Sequence, residues 1–461
     1  MLPAGKKQIS PARRIALEVL RRVEAEGAFS HLALNHALQR SPGLNPADRA
    51  LATELVYGTL RWSRRLDYAL AAHCHRPLER IEPGLLRVLR MTAYQLLFLD
   101  GVPEWAAVDQ GAELARRLRG RRAAGFVNGV LRALARGQRN IDWPDADSDL
   151  VRHLAVRHSF PDWLVEYWLE ELGSEQCRRL LEALNRPASA WLRPNTLRIV
   201  PAGLADLLSA SGLQVQQQAE IPGALKCQRA GDLAGSAAHQ TGLFHLQDGA
   251  AQLVCQLLDP RPGQRLLDAC SAPGGKTATL AELLEDRGEL FAVDVNPARL
   301  ALVRGLTERL GIGCVKFFVH DMSQPAPHGW GSFDRVLLDA PCSSLGVIRR
   351  HPEVKWRVAA GDAEHLSRQQ LALLDNCAGL VKPDGLLVYS VCSLDRREGS
   401  EVVEKFLQRH PEFELVDPRG SGPRPWYRFV QPRGWLMTWP QEFDCDGFFA
   451  ARLRRRNQEA G

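Results

Sequence analysis

The stretch L-L-D-A-C-S-A-P-G-G-K-T at residues 266–277 is the strongest fold signal in the C-terminal half of this chain. Two leucines and an acid, followed by small residues and a Gly-Gly pair, are typical of a buried strand that ends in a tight turn. Residues 278–284 then carry apolar side chains at helical spacing. This order of strand, turn and helix predicts a doubly wound α/β domain with a ligand over the carboxyl ends of its strands. The alternative interpretation is a purely structural turn.

The turn does not have the spacing of a phosphate-binding loop. It matches neither G-x-x-x-x-G-K-[ST] nor G-x-G-x-x-G. A second apolar run, residues 290–294, ends in Asp294, where an acid typically holds the ribose hydroxyls of a nucleotide. Together the two features predict a nucleoside-containing cofactor that needs no pyrophosphate cradle.

Length and composition indicate a soluble protein of several domains. A chain of 461 residues exceeds one hydrophobic core, and its 45% apolar and 24% charged content is ordinary for a globular protein. There is no long uncharged apolar run and no signal-peptide pattern, so we expect a cytoplasmic protein without a membrane partner. The ten cysteines show no C-x-x-C pair, which predicts reduced thiols and no metal site.

Positive charge is concentrated in the first third of the chain. Residues 1–140 hold 23 Lys/Arg and 12 Asp/Glu, whereas the remainder holds 36 and 41. Arginines cluster at Arg61, Arg64 and Arg65 and again at residues 116–122. Either cluster alone fits a solvated helical face equally well. Together they favour an anionic polymer as the partner of this region.

The pattern of apolar residues divides the chain into three predicted domains. Residues 1–140 read as an all-α domain, and the acidic stretch at 140–149 forms a boundary. A small α+β module is expected at 150–240, with short strands at 190–192 and 196–199. Residues 193–195 between these strands are expected to form an exposed turn, either facing substrate or without a role. Residues 241–461 alternate strands and helices, and the runs at 435–439 and 447–453 predict an antiparallel edge pair.

Five predicted strands of the third domain end in acids or cysteines. Such side chains converge at the carboxyl edge of a parallel sheet, where α/β proteins bind their ligands. A single cysteine at such a place is usually a structural residue, but two of them favour chemistry. The strand-end residues are Asp268, Asp294, Asp321, Asp339 with Cys342, and Cys392.

Two thiols, a carboxylate and a nucleoside cofactor suit methylation of a pyrimidine at carbon 5. That carbon is a poor nucleophile until a thiolate adds to carbon 6, and an acid near N3 stabilises the adduct. A base must then remove the proton from carbon 5. S-adenosylmethionine as methyl donor and Asp339 as the acid fit this scheme, and Lys276 would favour the thiolate. The residues alone do not say which cysteine attacks.

Three motifs in this order resemble those of RNA cytosine-5 methyltransferases, above all the bacterial RsmB family, also called Sun or Fmu. They are D-A-C-S-A-P-G-G-K-T at 268–277, L-L-D-A-P-C-S-S-L-G-V-I-R-R-H-P-E-V-K-W at 337–356 and L-V-Y-S-V-C-S-L at 387–394. The likeness covers nearly the whole chain, and D-G-F-F-A-A-R-L at 446–453 resembles the last strand of the family. It implies a NusB-like RNA-binding domain followed by the α+β module and a Rossmann-like methyltransferase domain.

The resemblance also implies roles for individual residues. Cys392 would be the nucleophile, Cys342 would assist product release, and Asp339 would border both cofactor and cytosine. Asp294 would hold the ribose and Asp321 would lie near the adenine, and we add Arg299 to the cofactor site. The chain departs from the family at Val391, where Thr is usual. The loop expected to line the cofactor consists of Cys270, Ser271, Ala272, Pro273, Gly274, Gly275 and Lys276.

The predicted function is therefore transfer of a methyl group from S-adenosylmethionine to carbon 5 of a cytosine in 16S rRNA. The expected partner is this RNA, naked or in a small-subunit assembly intermediate, and the protein is expected to act as a monomer that does not bind DNA. Two alternatives stay open at this point. One is a non-catalytic RNA-binding factor, which the two cysteines disfavour, and the other is a methyltransferase of tRNA or DNA.

Overall fold

The computed structural model describes residues 9–227, 233–420 and 424–457. The chain forms two compact units. The first comprises Met1–Asn185 with Arg350–Val358, and the second comprises Arg186–Arg349 with Ala359–Gly461. No helix in the described ranges is long and apolar enough to span a membrane.

The first unit is helical. The predicted cap of one helix is present, since Asn45 accepts a hydrogen bond from the Asp48 N–H at 2.8 Å just before Pro46 begins the helix. The longest helix contains non-helical backbone at Arg119 and Gly120, and another is interrupted at Gly173. The helices are α1 (Pro11–Ala25), α2 (Ser30–Gln39), α3 (Pro46–Arg61), α4 (Ser63–Ala71), α5 (Pro83–Phe98), α6 (Glu104–Gly137), α7 (Leu150–His158) and α8 (Asp162–Leu184), with short 3₁₀ turns at Leu78–Arg80 and Gln138–Asn140.

A segment from the second methyltransferase-like motif belongs to this helical unit. It is Arg350–Val358, which contains the short helix Val354–Arg357. The Glu353 carboxylate accepts hydrogen bonds from the N–H and the hydroxyl of Ser30 at 2.9 and 2.8 Å. The Lys355 side chain is fully buried, with its ammonium 3.8 Å from the centre of the Phe160 ring. The second half of the motif is therefore part of the helical core.

The second unit begins with a small antiparallel sheet of strand order β2-β3-β1-β4. Leucines and Phe244 on one face of the sheet are buried together with the helix that follows β1. The elements are β1 (Ala190–Pro194), α9 (Pro201–Ala210), β2 (Val215–Gln217), β3 (Leu225–Cys227), α10 (Ala237–Gln240) and β4 (Phe244–Leu246).

Two expectations for this sheet are wrong. The predicted strand at 196–199 is a turn, because the Arg198 and Ile199 N–H groups both return to the carbonyl of Asn195. Residues 193–195 are not an exposed turn, since Arg193 and Asn195 are buried. Arg193 donates to Glu282 at 2.9 Å, and the Asn195 amide donates to the carbonyls of Gly242 and Leu310 at 2.9 Å each. The polar residues Arg193 and Asn195 therefore form buried hydrogen bonds and do not mark an exposed turn.

The large sheet has the order β10-β12-β9-β8-β5-β6-β7, with β11 also paired to β12. The five strands from β9 to β7 in this order are parallel, and apolar side chains pack on both faces of the sheet. The elements are α11 (Gly249–Leu257), β5 (Arg265–Asp268), α12 (Gly275–Leu283), β6 (Glu289–Asp294), α13 (Pro297–Leu310), β7 (Val315–Val319), β8 (Phe333–Asp339), α14 (Asp362–Ala378), β9 (Val381–Val391), α15 (Ser400–Arg409), β10 (Phe413–Leu415), β11 (Leu436–Thr438) and β12 (Phe448–Arg455), with 3₁₀ turns at Leu345–Val347, Pro418–Gly420 and Arg424–Phe429.

The predicted antiparallel pair of β11 and β12 is present at one edge of the large sheet, where β11 and β10 pair with successive parts of β12. Strand β12 lies between β9 on one side and the short strands β10 and β11 on the other. Its residues Ala450, Ala451 and Leu453 are fully buried for this reason. Two short strands therefore protect the backbone of β12 from solvent.

We predict that Asn195→Ala lowers the free energy of unfolding by about 2 to 4 kcal/mol, because it leaves two buried carbonyls without a donor. Urea unfolding measures this loss, and Gln216→Ala, an exposed change on β2, is the control. A stable Asn195→Ala protein with weakened RNA binding would instead support the substrate-facing turn.

Candidate active site

The loop after β5 is shaped by hydrogen bonds at both of its ends. Asp268 is fully buried and accepts a hydrogen bond from the Thr277 hydroxyl at 2.7 Å, which ties the strand to the first turns of α12. The Ser271 N–H donates to the Val293 carbonyl at 2.8 Å. Gly274 has a φ of 108°, and a Cβ there would lie 2.9 Å from the Val303 Cα. Only glycine fits this turn against α13.

Asp294, at the end of β6, fixes the outer side of the same loop. Its two carboxylate oxygens accept from the N–H of Asn296 at 2.9 Å and of Ala272 at 3.3 Å. Arg299, in the first turn of α13, donates to the Ala272 carbonyl at 3.0 Å. These contacts hold the peptide groups of Ala272 from both sides. Pro273 lies between this anchored residue and the glycine turn.

Two buried polar atoms of the loop fit a nucleoside-type ligand. Among the residues that the structure describes, none hydrogen bonds to the Ser271 hydroxyl or to the Oδ1 atom of Asp268, although both atoms are buried. Burial raises the pKa of Asp268 to about 7, against the hydrogen bond from Thr277 that lowers it. A bound ligand would supply the missing partners. The residues present therefore fit the predicted cofactor.

The other acid assigned to the cofactor has a different setting. Asp321 follows β7, is exposed, and accepts a hydrogen bond from the Ser323 N–H at 2.9 Å. Hydrogen bonds from Ser323 lower the pKa of its carboxyl group.

Cys270 is partly buried, and this burial raises the pKa of its thiol well above the usual value, so it lines the loop as a neutral group.

Lys276 and Asp339 form an ion pair between neighbouring strand ends. The Lys276 ammonium lies 2.7 Å from one carboxylate oxygen of Asp339, and the Ser390 hydroxyl donates to the other at 2.7 Å. Burial lowers the pKa of Lys276, but the charge of Asp339 and its hydrogen bond to Lys276 together outweigh burial, so the pKa is raised. A thiolate at Cys392 raises it further. Lys276 is therefore a cation that attracts negative charge on that sulfur.

The two predicted cysteines are adjacent. The Sγ atoms of Cys342 and Cys392 lie 3.3 Å apart, both residues are partly buried, and the thiols are free. The Cys392 sulfur also lies 3.7 Å from the Ser344 hydroxyl. The hydrogen bond with Cys392, followed by burial, raises the pKa of Cys342 well above its usual value. Cys342 is therefore a neutral thiol in the free protein.

Sequence reasoning did not identify the residue that joins the two cysteine loops. Glu398 is fully buried and accepts hydrogen bonds from Ser343, which follows Cys342, and from Ser393, which follows Cys392. The repeated Cys-Ser pair was the signal that could have suggested a shared partner.

Val391, which replaces the usual Thr of the family, is fully buried in the apolar core of the sheet.

The first unit carries an exposed basic surface, which we call the α6 ridge and define as residues 116–122. Arg116 and Arg117 share Glu113, and Arg119 pairs with Glu82. Arg121 and Arg122 are exposed, with no ion pair to any residue in the described ranges. These five arginines face only two carboxylates, so the ridge keeps a net positive charge.

The other predicted arginine cluster is not a free basic surface. Arg61 is buried, and Arg64 donates to the Asp162 carboxylate at 2.7 Å. The Arg65 guanidinium lies 4.8 Å from the centre of the Trp143 ring. These three side chains stabilise the helical unit.

In the described part of the chain, no three His, Cys, Asp or Glu side chains are grouped as metal ligands.

The parallel sheet, the glycine loop without a phosphate cradle and the acid at the end of the next strand define the class of this domain: it is a Rossmann-like S-adenosylmethionine-dependent methyltransferase. The family described as 16S rRNA methyltransferase RsmB/F matches residues 255–454. The NusB family matches residues 10–136, and the ferredoxin-like domain of RsmF/B-like methyltransferases matches residues 160–234.

Full-length relatives agree with these matches. The chain is 36% identical over 450 residues to a probable ribosomal RNA small subunit methyltransferase B of Bacillus subtilis, covering 96% of this chain and 98% of the relative. It is 34% identical to ribosomal RNA small subunit methyltransferase B of Vibrio cholerae, covering 95% and 98%. The crystal structure of PH0851 superposes with a TM-score of 0.82 at 26% identity, covering 98% and 100%. The chain belongs to the RsmB/F family of 16S rRNA methyltransferases.

We predict that Asp294→Ala weakens binding of S-adenosylmethionine about 10- to 100-fold, because the Ala272 N–H of the loop and the neighbouring Asn296 N–H lose their charged acceptor. Isothermal titration calorimetry on the folded variant measures this affinity. Asp206→Ala, an exposed change on α9, should bind the cofactor as the unmodified protein does. Unchanged affinity for Asp294→Ala would contradict the assignment.

Proposed function

We propose that this protein methylates carbon 5 of a cytosine in 16S rRNA through a covalent bond between Cys392 and carbon 6. The observation that carries the proposal is the 3.3 Å separation of the Cys342 and Cys392 sulfurs beside the Lys276–Asp339 pair. Two thiols, a cation and a carboxylate within one strand-end cluster match the needs of a reaction with nucleophilic and acid–base steps.

In the first step the Cys392 thiolate bonds to carbon 6 of the cytosine. The π pair of the carbon 5–carbon 6 double bond forms a carbon 4–carbon 5 double bond, and the π pair of the carbon 4–N3 double bond moves onto N3. Lys276 and Asp339 share a proton across 2.7 Å, and this proton passes through the Asp339 carboxyl group to N3. Carbon 5 becomes enamine-like and therefore nucleophilic. Ser390 keeps the Asp339 carboxyl group in one orientation through its hydrogen bond.

S-adenosylmethionine, when bound, supplies an electrophilic methyl group to carbon 5. Cys342 first releases its own proton to water, and the resulting thiolate takes the proton from carbon 5. The electron pair of that carbon–hydrogen bond re-forms the carbon 5–carbon 6 double bond, the carbon 6–sulfur bond breaks, and Cys392 leaves as a thiolate while N3 returns its proton through Asp339 to Lys276. Formation of the Cys392 thioether removes the hydrogen bond and charge that chiefly raise the pKa of Cys342. Cys342 thus becomes a base only after Cys392 has reacted.

The choice of RNA is supported by charge and by relatives. The α6 ridge offers arginines for phosphate contacts. The curated relatives are named for the small ribosomal subunit, and we extend that substrate to this chain. We further propose that the protein acts in the cytoplasm as a monomer, on naked 16S rRNA or on a small-subunit assembly intermediate.

We predict that Cys392→Ala abolishes methyl transfer and forms no adduct, because it removes the attacking sulfur. Cys342→Ala should instead accumulate a covalent protein–RNA adduct that survives denaturing gel electrophoresis, because carbon 5 keeps its proton. Incubation of each variant with in-vitro transcribed 16S rRNA and S-adenosylmethionine provides the measurement.

Cys377→Ala is the control for these variants, because that thiol is buried in the core behind the sheet. It should retain turnover and leave no trapped adduct. The reverse pattern, with an adduct in Cys392→Ala and none in Cys342→Ala, would exchange the two roles. Turnover in both variants would exclude thiol catalysis.

We predict that the double change Arg121→Glu and Arg122→Glu weakens RNA binding and reduces the slope of log affinity against log salt by roughly 1 to 2, the value for one or two lost phosphate contacts. Filter binding at several salt concentrations measures both quantities. Affinity for S-adenosylmethionine should stay unchanged.

The matched control is Arg14→Glu with Arg152→Glu, which reverses the same number of exposed charges elsewhere in the first unit. Equal loss of binding in the control would attribute the effect to net charge and contradict a specific role for the α6 ridge. Substitution is preferable to deleting residues 1–140, because the first unit continues to Asn185 and includes Arg350–Val358.

A further inference from the structure

Two separate loops carry the cysteines, and each loop continues into a serine. Cys342 and Ser343 follow β8, whereas Cys392 and Ser393 follow β9. The two serine hydroxyls lie 3.0 Å apart, just as the two sulfurs lie 3.3 Å apart. The loops are therefore aligned side by side over two consecutive residues.

One carboxylate holds this alignment. The Oε1 atom of Glu398 accepts hydrogen bonds from the hydroxyls of Ser343 and Ser393, the latter at 2.7 Å. Its Oε2 atom accepts from the Ser343 N–H at 2.8 Å and from the Gln370 amide at 3.0 Å. The same amide donates to the Pro341 carbonyl at 2.9 Å. Every lone-pair direction of the carboxylate is thus used on the two loops or on their support from α14.

The backbone at Glu398 is held as firmly as its side chain. Glu398 lies just before α15, its N–H donates to the Asp395 carbonyl at 3.1 Å, and its own carbonyl accepts from the Tyr389 hydroxyl at 2.5 Å. Tyr389 and Glu398 are both fully buried. Within the described residues, Glu398 forms no ion pair, so hydrogen bonds alone compensate a buried charge. Burying a carboxylate without a cationic partner costs free energy of folding, so a role in positioning the two loops would account for its presence.

We infer that Glu398 is a positioning residue, which clamps the loops after β8 and β9 so that the Cys342 and Cys392 sulfurs stay side by side. Within the described residues no hydrogen bond joins it to either cysteine side chain, and it acts through Ser343 and Ser393. The kinetic consequence rests on the proposed function, whereas the geometric consequence does not.

The negative charge of Glu398 has a second effect on the site. It adds to the causes that raise the pKa of Cys342, after the hydrogen bond with Cys392, burial and the charge of Cys392. The charge of Cys342 is in turn a smaller cause of the raised pKa of Tyr389, which burial raises most. The carboxylate thus favours the neutral form of Cys342 while it fixes the position of that loop.

Two substitutions separate geometry from charge. Glu398→Gln can accept from Ser343 N–H and Gln370 with its oxygen, and its amide can donate to the two serine hydroxyls, so the clamp is kept without the charge. Glu398→Ala removes both oxygens and with them all four hydrogen bonds. The double change Ser343→Ala with Ser393→Ala weakens the clamp without emptying the buried site, which provides a second variant if Glu398→Ala does not fold. Glu401→Ala, on α15 and partly exposed, is the matched control.

The first readout is independent of methyl transfer. Diamide accepts two electrons and two protons from a pair of neighbouring thiols and leaves a disulfide, so its rate reports how often the two sulfurs meet. The full chain is treated without RNA or cofactor, and the Cys342–Cys392 linkage is followed by peptide mass spectrometry. We expect the unmodified protein, Glu398→Gln and Glu401→Ala to form it at similar rates. Glu398→Ala and the double serine variant should form it at least about 10-fold more slowly.

The second readout is the rate of methyl transfer. Glu398→Ala and the double serine variant should lower kcat by about 100-fold with KM for RNA little changed, because a displacement of about 1 Å costs this much. Glu398→Gln should retain kcat within about 10-fold, since only the charge is lost. A general loss of packing would instead lower the yield of folded protein and affect Glu398→Gln and Glu398→Ala alike.

The outcomes distinguish the inference from the function on which its kinetic part rests. Disulfide formation and kcat that are unchanged in Glu398→Ala or in the double serine variant overturn the positioning role. Slow disulfide formation in these variants, together with an unmodified protein that transfers no methyl group to RNA, supports the clamp and contradicts the proposed function.

Discussion

The parallel register between β8 and β9 is the constraint on which the site depends. Asp339 lies opposite Ser390, so the turns that follow the two strands begin at the same level of the sheet. Cys342 and Cys392 come three and two residues later and therefore meet. A slip of one residue would turn alternate side chains to the opposite face and separate the sulfurs. Strand β5 pairs with the other side of β8, which brings Lys276 to Asp339.

Burial and neighbouring charges at these strand ends shift the pKa values of the ionisable groups in different directions. Lys276 stays a cation because Asp339 offsets its burial. Burial instead raises the pKa of Asp268 to about 7, so that its neutral and charged forms are both present near neutral pH. The thiol of Cys342 keeps its proton beside the other sulfur and the buried carboxylate of Glu398. The site therefore places one cation and two neighbouring sulfurs in a partly buried cluster.

Much of this arrangement could be predicted from the sequence, because it follows from local signals. The spacing of apolar residues, the glycine turns and helix caps such as Asn296 before Pro297 predict the strands and helices of this domain. In a parallel α/β sheet the carboxyl ends of these strands lie along one edge, which brings their terminal residues together. Burial of polar residues could not be predicted in this way. Asn195 and Glu398 are polar residues in segments that resemble exposed turns. They are buried because their hydrogen-bond partners lie far away in the sequence. The same holds for Lys355, whose segment leaves the catalytic motif to join the helical unit.

The most direct test of the central claim is to identify the residue that bonds to the cytosine. A substrate RNA that carries 5-fluorocytidine at the modified position cannot lose a proton from carbon 5, so the covalent intermediate accumulates after methyl transfer. Digestion of this complex and peptide mass spectrometry locate the attachment. The account predicts that the nucleotide is bound to the peptide that contains Cys392. Attachment to Cys342, or complete absence of a protein–RNA bond while the RNA is methylated, would contradict it.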